Sequence, residues 1–491
     1  MAYGNKLREG AWVLLAVVAT SALVFFGNGL DPHWPLMWFA PLPVVWFGLG
    51  RTGWSAGLAA FAAMLIGCLN FWRYIGILGA PHAAWFINFG LIALMFAAGV
   101  LLMRALVRRG ALWSAWIALP AWWVTFEYVR NLIWPHGSGG SLAYSQLNFV
   151  PFLQLASLAG PWGMGFVLML FPVGLALGIH LWGSSRGQAV RLLGATVGVM
   201  AAVLLFGAVR LAVRQPGPEV RVGLVSSDVS RGVVDPGGPA MRLFEQYAQQ
   251  AEGLIAGGAK VVVMPEDLAV IVDLNTAGAD GIFQPIADRT GAVLVIGMNH
   301  VTGTGQGTRH YNEARIYTPG AAVRGYHKEH LLPPFETSIF TPGTMRVTFA
   351  APGRDAGLKW GVAICKDYDF TEPARAYGRS GVGLMLAPAW DFHIDAFWHG
   401  HIAVMRAVED GFSLVRSARG GFMTVADDRG RVVAEGASDS APFATLLATV
   451  RVGHDRTLFQ LWGDWFGWFA IVLLAVVVAR LIAGSRGTPG D

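Results

Sequence analysis

Three residues in this sequence stand where short apolar runs end, and each has a side chain able to take part in acyl chemistry. The run Gly361-Val-Ala-Ile ends in Cys365 and is followed at once by Lys366 and Asp367. A buried strand delivers a nucleophile to the edge of a sheet in this way. The other cysteine, Cys68, lies in a strongly apolar segment, so Cys365 has no evident disulfide partner. A free cysteine is as commonly a small buried hydrophobe. Glu266 follows the run at 261–264 and Pro265. A carboxylate at the mouth of a buried strand, beside apolar residues, has a raised pKa and suits a general base; a capping or ion-paired glutamate would read the same way. Lys328 sits in Tyr326-His-Lys-Glu-His330-Leu-Leu-Pro-Pro-Phe335-Glu336. Its aromatic and proline content would fix a loop, and a held ammonium near Cys365 would stabilise a thiolate and a tetrahedral intermediate. Glu336 would orient that lysine. Taken alone, the same stretch reads as a solvated loop with ordinary surface charges.

The elements that must carry these residues alternate between strand-like and helix-like runs. The pattern gives strands over 220–225, 260–264, 292–296, 313–317, 361–364 and 382–386, with helices over 241–255, 282–289 and about 396–409. Pro319-Gly320 and Asp428-Arg-Gly430 read as turns between paired strands. The run at 261–264 is apolar at every position, as in a strand covered on both faces. Alternation of this kind argues for an α/β or layered αββα domain.

That domain occupies only part of the chain. The 491 residues are 54% hydrophobic and 14% charged, with a mean hydropathy of +0.49, a composition that excludes a purely soluble protein. The apolar excess falls in residues 1–213 and again at about 466–484. Spans are expected near 11–27, 35–50, 54–72, 84–103, 112–129, 163–183, 191–212 and 466–484. This divides the chain into a membrane domain over 1–213 (about seven helices), a catalytic domain over 214–457, and a C-terminal span and tail over 458–491. The proline-rich stretch Arg214-Gln-Pro216-Gly-Pro218 reads as the hinge. Lys6 and Arg8, Arg51, Arg104 with Arg108 and Arg109, and Arg186 with Arg191 mark alternate turns. The positive-inside rule then puts the N-terminus in the cytoplasm, residue 214 on the outer face and Arg486 back inside. An even number of spans before 214 would reverse that placement. The net charge of +5 is accounted for by these loop arginines, and no basic run interleaved with aromatics suggests nucleic-acid binding.

Between the fifth and sixth expected spans lies a polar, glycine-rich stretch, with Trp134-Pro135-His136-Gly137 and Tyr144-Ser145-Gln146. At that depth its backbone must be buried in protein or line a cavity. Glu127 and Arg130 are spaced as a same-face helical pair. The stretch reads either as an interfacial loop with one structural ion pair or as a mouth through which a lipid reaches the outer domain.

Pro265-Glu266, Lys328 with Glu336 eight positions later, and Cys365, in that order, resemble the nitrilase superfamily. The resemblance implies an αββα sandwich in which Glu266 is general base, Cys365 nucleophile and Lys328 stabiliser of the tetrahedral intermediate, with no cofactor and no metal. Several spans, one such domain and a final span are similar to the apolipoprotein N-acyltransferase family. Local matches run along nearly the whole chain: Trp38-Phe-Ala-Pro41, Glu127-Tyr-Val-Arg130, Tyr144-Ser-Gln146, His330-Leu-Leu-Pro333, Thr457-Leu-Phe and Gly463-Asp-Trp465. The implied fold is thus a polytopic α-helical membrane domain joined to a nitrilase-like extracytoplasmic α/β domain. The implied place is the bacterial inner membrane, with the catalytic domain on the periplasmic side. The implied reaction moves an acyl chain from a phospholipid to Cys365 as a thioester, then to the α-amino group of a diacylglyceryl-modified apolipoprotein.

The chain departs from that family at several places. Met264 stands where a tryptophan is usual, and Lys366-Asp367 where Tyr-Glu is usual. Pro388-Ala-Trp-Asp391-Phe replaces an asparagine-rich segment, and Arg419-Gly420-Gly stands for Asn-Thr-Gly. These departures keep open a membrane-tethered amidase using the same three residues, and more remotely a silent scaffold. Lys366 and Asp367 are expected to support the nucleophile, with the Lys366 N–H at the oxyanion. His393, Asp395, His399 and His401, and His327 with His330, cluster in sequence without any zinc spacing.

Overall fold

The computed structural model describes residues 2–79, 81–213, 217–228, 235–353 and 357–483, with side chains from residue 10 onward. Residues 214–216 of the expected hinge, the side chains of Lys6 and Arg8, and Arg486 lie outside the described residues. The chain forms two compact units. One comprises Met1–Trp134, Ser138–Arg210 and Trp462–Asp491, and the other Pro135–Gly137 and Leu211–Leu461.

The first unit is helical. Gly10–Gly27, Gly53–Ile77, His82–Arg108, Ala156–Leu181, Arg186–Ala212 and Trp465–Ala483 are each long and apolar enough to cross a membrane. The expected span at 35–50 is instead two short helices, Trp34–Met37 and Leu42–Leu49, with Pro41 preceding and Pro43 opening the second. A proline carries no N–H to continue the ladder, so it is accommodated best in the first turn of a helix. The helix at Leu112–Ile133 is mostly apolar, and its charged residues are Glu127 and Arg130. These two fasten the following loop. Glu127 accepts hydrogen bonds from Ser141 Oγ (2.9 Å) and the Leu142 N–H (2.8 Å), and Arg130 donates to the Gly139 carbonyl at 2.9 Å. Gln146 accepts from Trp38 Nε1 (2.8 Å) and donates to the Trp34 carbonyl (3.0 Å). The polar stretch therefore satisfies itself on neighbouring helices, as a low-dielectric setting requires. The last helix is held by Trp162 Nε1 donating to Asp464 (2.6 Å) and by Trp465 Nε1 donating to the Leu158 carbonyl (2.8 Å). Tyr128, Trp162 and Ala470 pack around that joint.

The second unit is a four-layer αββα sandwich. Its strands are β1 (Glu219–Ser226), β2 (Val261–Val263), β3 (Val270–Val272), β4 (Val293–Thr302), β5 (Arg309–Tyr317), β6 (Arg324–His327) and β7 (Val347–Ala350). They continue with β8 (Lys359–Val362), β9 (Val382–Trp390), β10 (Ser413–Arg419), β11 (Phe422–Ala426), β12 (Val432–Ala437) and β13 (Ala444–Arg451). One sheet runs β13-β1-β2-β4-β5-β6, with β3 on β4, and the other β12-β11-β10-β9-β8-β7. Val222, Val261, Val263, Val295 and Ile316 face Val362, Leu384, Leu386 and Val415 across a dry seam. Helices Gly238–Ala256 and Thr276–Thr290 cover the first sheet. Thr371–Arg379 and Ala396–Asp410 cover the second. The centre of each sheet is parallel: β1, β2 and β4 in one, β8, β9 and β10 in the other. Parallel strands buried on both faces need near-continuous apolar sequence, and β2 and β9 supply it. The two expected turns do join antiparallel neighbours, β5 to β6 and β11 to β12.

Candidate active site

Glu266, Cys365 and Trp390 all lie at C-terminal ends of parallel strands, the edge where open α/β sheets present their ligands. Glu266 is reached through Met264, whose N–H donates to the Val295 carbonyl at 2.9 Å. Its own N–H donates to the Ala389 carbonyl of β9 at 3.3 Å, so the residue is tied to both sheets. Gly297 on β4 makes this approach possible. A Cβ there would lie 2.4 Å from the Pro265 carbonyl oxygen and 2.5 Å from the Glu266 Cα.

Lys328 follows β6 directly, its N–H donating to the Asn312 carbonyl (2.9 Å). The ammonium is buried and donates to Glu266 Oε1 (2.7 Å) and Glu336 Oε1 (2.8 Å). Asn312 on β5 donates to the same two oxygens, at 2.6 and 2.9 Å. Glu336 Oε2 accepts the Leu332 N–H at 2.7 Å, closing the lysine loop on itself. Burial pushes the Glu266 carboxyl above its usual range, with Lys328 opposing and Glu336 adding to the shift. Burial disfavours the Lys328 charge, but the two carboxylates outweigh it and hold the ammonium protonated. Glu266 Oε2 is buried and has no hydrogen-bond partner among the described residues.

The third residue arrives differently from the sequence expectation. β8 ends at Val362, two residues early, and Cys365 opens a tight 3₁₀ turn with φ +42°. That conformation is rare for a side chain with a Cβ and needs neighbours to impose it. Asp367 imposes it. Its side chain is fully buried and accepts from Ile364 N–H (2.9 Å), Tyr326 OH (2.7 Å), Glu329 N–H (3.2 Å) and His330 N–H (2.8 Å). One carboxylate thus locks the Cys365 turn to the lysine loop. Burial and Glu266 raise the Cys365 thiol well above its usual range, with Lys328 opposing. The resting sulfur is therefore a thiol and needs a base. Lys366 is also buried, its ammonium set against Asp369 (3.2 Å) and His136 Nδ1 (3.3 Å).

The departures at Trp390-Asp391 and Arg419-Gly420-Gly421 pack together, and Asp391 lies beside the thiol. Asp391 is buried and takes two hydrogen bonds from Arg416, one of them 2.9 Å. A Cβ at Gly421 would lie 2.2 Å from Asp391 Oδ2, so the glycine in Arg419-Gly420-Gly accommodates the aspartate. Arg419 covers the Trp390 ring at 3.9 Å and donates to Asp267 at 3.4 Å. Donor atoms of Cys365, Asp391 and His399 lie within 4.8 Å of one another. The Arg416 guanidinium on Asp391 opposes a metal cation there. Sequence reasoning missed Asn312 and Arg416, which have no local motif, and named Asp391 and His399 without finding that they lie together beside Cys365. Trp390 and Phe335 are exposed and, with Phe392, form an aromatic rim above the thiol.

A carbon-nitrogen hydrolase family model matches residues 237–452, and a model of the apolipoprotein N-acyltransferase N-terminal domain matches residues 19–174. The chain belongs to the apolipoprotein N-acyltransferase family. Its relatives under that name include proteins of Geobacter metallireducens (27% identical, 93% of this chain and 92% of the relative) and Gloeobacter violaceus (26%, 98% and 97%). A third, from Allorhizobium ampelinum, is 26% identical over 92% of each chain. Among solved structures, an amidase from Nesterenkonia sp. is 20% identical, with a TM-score of 0.40 over 51% of this chain and 95% of its own. The chain is an enzyme of the nitrilase superfamily and a multi-pass membrane protein.

Proposed function

We propose that this enzyme moves an acyl chain from a phospholipid, through a thioester on Cys365, to the α-amino group of a diacylglyceryl-modified apolipoprotein. Family membership supports the reaction class, and the observation that carries the residue roles is the Glu266–Lys328–Asn312 cluster. Lys328 and Asn312 saturate Oε1 of Glu266, and Oε2 remains as a desolvated base after β2, in electrostatic reach of the thiol that follows β8.

In the first half-reaction Glu266 takes the Cys365 proton as the sulfur attacks the ester carbonyl. Lys328 and the Lys366 N–H carry the charge that develops on oxygen. The C–O bond to the lysophospholipid breaks, Glu266 returns the proton to the leaving alkoxide, and the acyl group stays on sulfur. In the second half-reaction the α-amine attacks the thioester. The C–N bond forms, the C–S bond breaks, Glu266 accepts the amine proton, and the thiol is restored. A base whose pKa is raised by burial suits both proton transfers. The aromatic rim of Trp390, Phe335 and Phe392 offers apolar surface for an acyl chain.

We place the catalytic domain on the extracytoplasmic side, a placement that the arginine pattern gives when the broken apolar stretch Trp34–Leu49 counts as one of seven spans before residue 214. The test of the reaction is detergent-solubilised enzyme incubated with labelled-acyl phosphatidylethanolamine and a diacylglyceryl peptide. Label should reach the peptide with stoichiometric lysophospholipid release, and Cys365→Ala should abolish both. Hydrolysis of soluble amides without any transfer would instead establish an amidase.

A further inference from the structure

We propose that the outer face of the first sheet carries a second site, which binds one divalent ion of the zinc class through His300, Glu313 and His327. The three residues come from adjacent strands β4, β5 and β6. Glu313 stands directly opposite His327 in the β5–β6 register, and His300 pairs with Tyr311, two residues along. Side chains alternate along a strand. Asn312 and Lys328 therefore face the acyl-transfer site, and Glu313 and His327 face the other side.

One donor atom from each residue lies within 4.8 Å of the other two. His300 Nδ1 is in hydrogen-bond contact with Glu313 Oε2, and His327 Nε2 lies 3.7 Å from the same oxygen. Donors on a tetrahedral zinc, with bonds near 2.0–2.2 Å, sit about 3.3 Å apart, so seating the ion would open the His300–Glu313 pair by about 0.8 Å and draw the His327 imidazole in by about 0.4 Å or more. A simple ion pair needs one imidazole; here two converge on one carboxylate oxygen.

The surroundings are those that metal ligands need. The other nitrogen of His300 contacts Asp273 Oδ1 at 3.1 Å, and Asp273 is itself held by the Gly303 N–H at 3.0 Å. This carboxylate–histidine pairing fixes the ring and its tautomer. Glu313 Oε1 accepts from Arg315 Nη1 (3.0 Å), whose charge is balanced by two 2.7 Å bonds to Asp280. His327 lies flat on Tyr311, with ring centroids 4.0 Å apart. Glu313 is 2% exposed, His300 12% and His327 35%, so the fourth position opens to solvent on the His327 side. Two histidines, a carboxylate and an open position suit zinc and its first-row neighbours better than calcium or magnesium. Because the donors sit on three strands, no zinc spacing appears in the sequence. The ion would clamp β6 to β5 one residue before Lys328.

The test uses full-length protein in detergent, stripped with chelator, dialysed against Zn²⁺ and assayed for bound metal by mass spectrometry. One ion per chain is expected, retained in Cys365→Ala and lost in His327→Ala and His300→Ala. Asp273→Asn should weaken binding by about 10–100-fold. Cobalt should give the visible absorption of a four-coordinate site, absent from His327→Ala. The half-exposed His327 allows a folding control, an unchanged melting curve of that variant without metal. No stoichiometric ion would overturn the proposal. So would an ion kept by His327→Ala and lost from Cys365→Ala, which would place it beside the thiol.

Discussion

Replacing Asp367 with asparagine keeps the shape of the residue that joins the nucleophile turn to the lysine loop and removes its charge. Asp367 Oδ2 takes the Ile364 N–H and the Tyr326 hydroxyl, and Oδ1 takes the Glu329 and His330 N–H groups. Asparagine must turn its NH₂ toward one of these pairs. Facing the loop, it would leave two backbone N–H groups without an acceptor. Facing the turn, it leaves only the Ile364 N–H, because the Tyr326 hydroxyl can rotate and accept. The second orientation costs less. One buried unsatisfied donor costs about 1–3 kcal/mol, and the remaining bonds lose their charge assistance, for a total of about 2–4 kcal/mol. The φ of +42° at Cys365 depends on this anchoring, so the cost falls on the geometry of the sulfur. If all of it appears in the barrier, acylation slows by about 30- to 1,000-fold. The assay is the rate of acyl-enzyme formation followed by intact-protein mass, with a melting curve of each variant alongside. Acylation of Asp367→Asn within about threefold of the parent would refute the anchoring role.

Three further outcomes follow from the same geometry. Asn312→Ala removes a 2.6 Å hydrogen bond that favours ionised Glu266, so the acid limb of the pH–rate profile should move to higher pH; movement to lower pH would contradict the base assignment. His399, beside Asp395, Asp369 and Asp391, has its pKa raised to about 9 because these carboxylates outweigh the burial that opposes its charge. Its folded-state value exceeds the unfolded one, so its stabilisation is complete below about pH 6.5 and lost as pH rises through about 9, roughly 3 kcal/mol in all. Melting curves over that window should fall more steeply for the parent than for His399→Gln, and parallel curves would count against it. Gly421→Ala drives a methyl group against Asp391 and should break its pairing with Arg416, costing about 3–5 kcal/mol. Gly253→Ala, where a Cβ meets nothing within 4 Å, is the control. Equal melting temperatures for the two would show that the Asp391 pocket yields.

What the sequence revealed of this molecule follows physical range. Strands such as β2 and β9 were legible because apolar runs covered on both faces leave a local signature. The β3, β6, β7 and β10–β13 strands were not, since β3, β6 and β7 are short, β6, β7 and β12 are half exposed, and β10 carries Arg416 and Arg419 among buried neighbours. The candidate triad stood out through its order and its place at strand ends. Its supports did not: Asn312 reaches Glu266 across 46 positions, and Arg416 reaches Asp391 across 25. Lys366-Asp367 was visible as a departure, but only the fold shows Asp367 gathering four donors. The stretch expected as one span at 35–50 is broken into two short helices, because hydropathy does not register the helix starts imposed by Pro35, Pro41 and Pro43.

The central claim is that Cys365 carries the acyl group, and peptide mapping of enzyme quenched during turnover with labelled phospholipid tests it most directly. The account expects one hydroxylamine-labile acyl group on the peptide containing Cys365, discharged on adding a diacylglyceryl peptide and absent from Glu266→Gln and Cys365→Ala. Label on another residue, or full acyl transfer by Cys365→Ala, would contradict it.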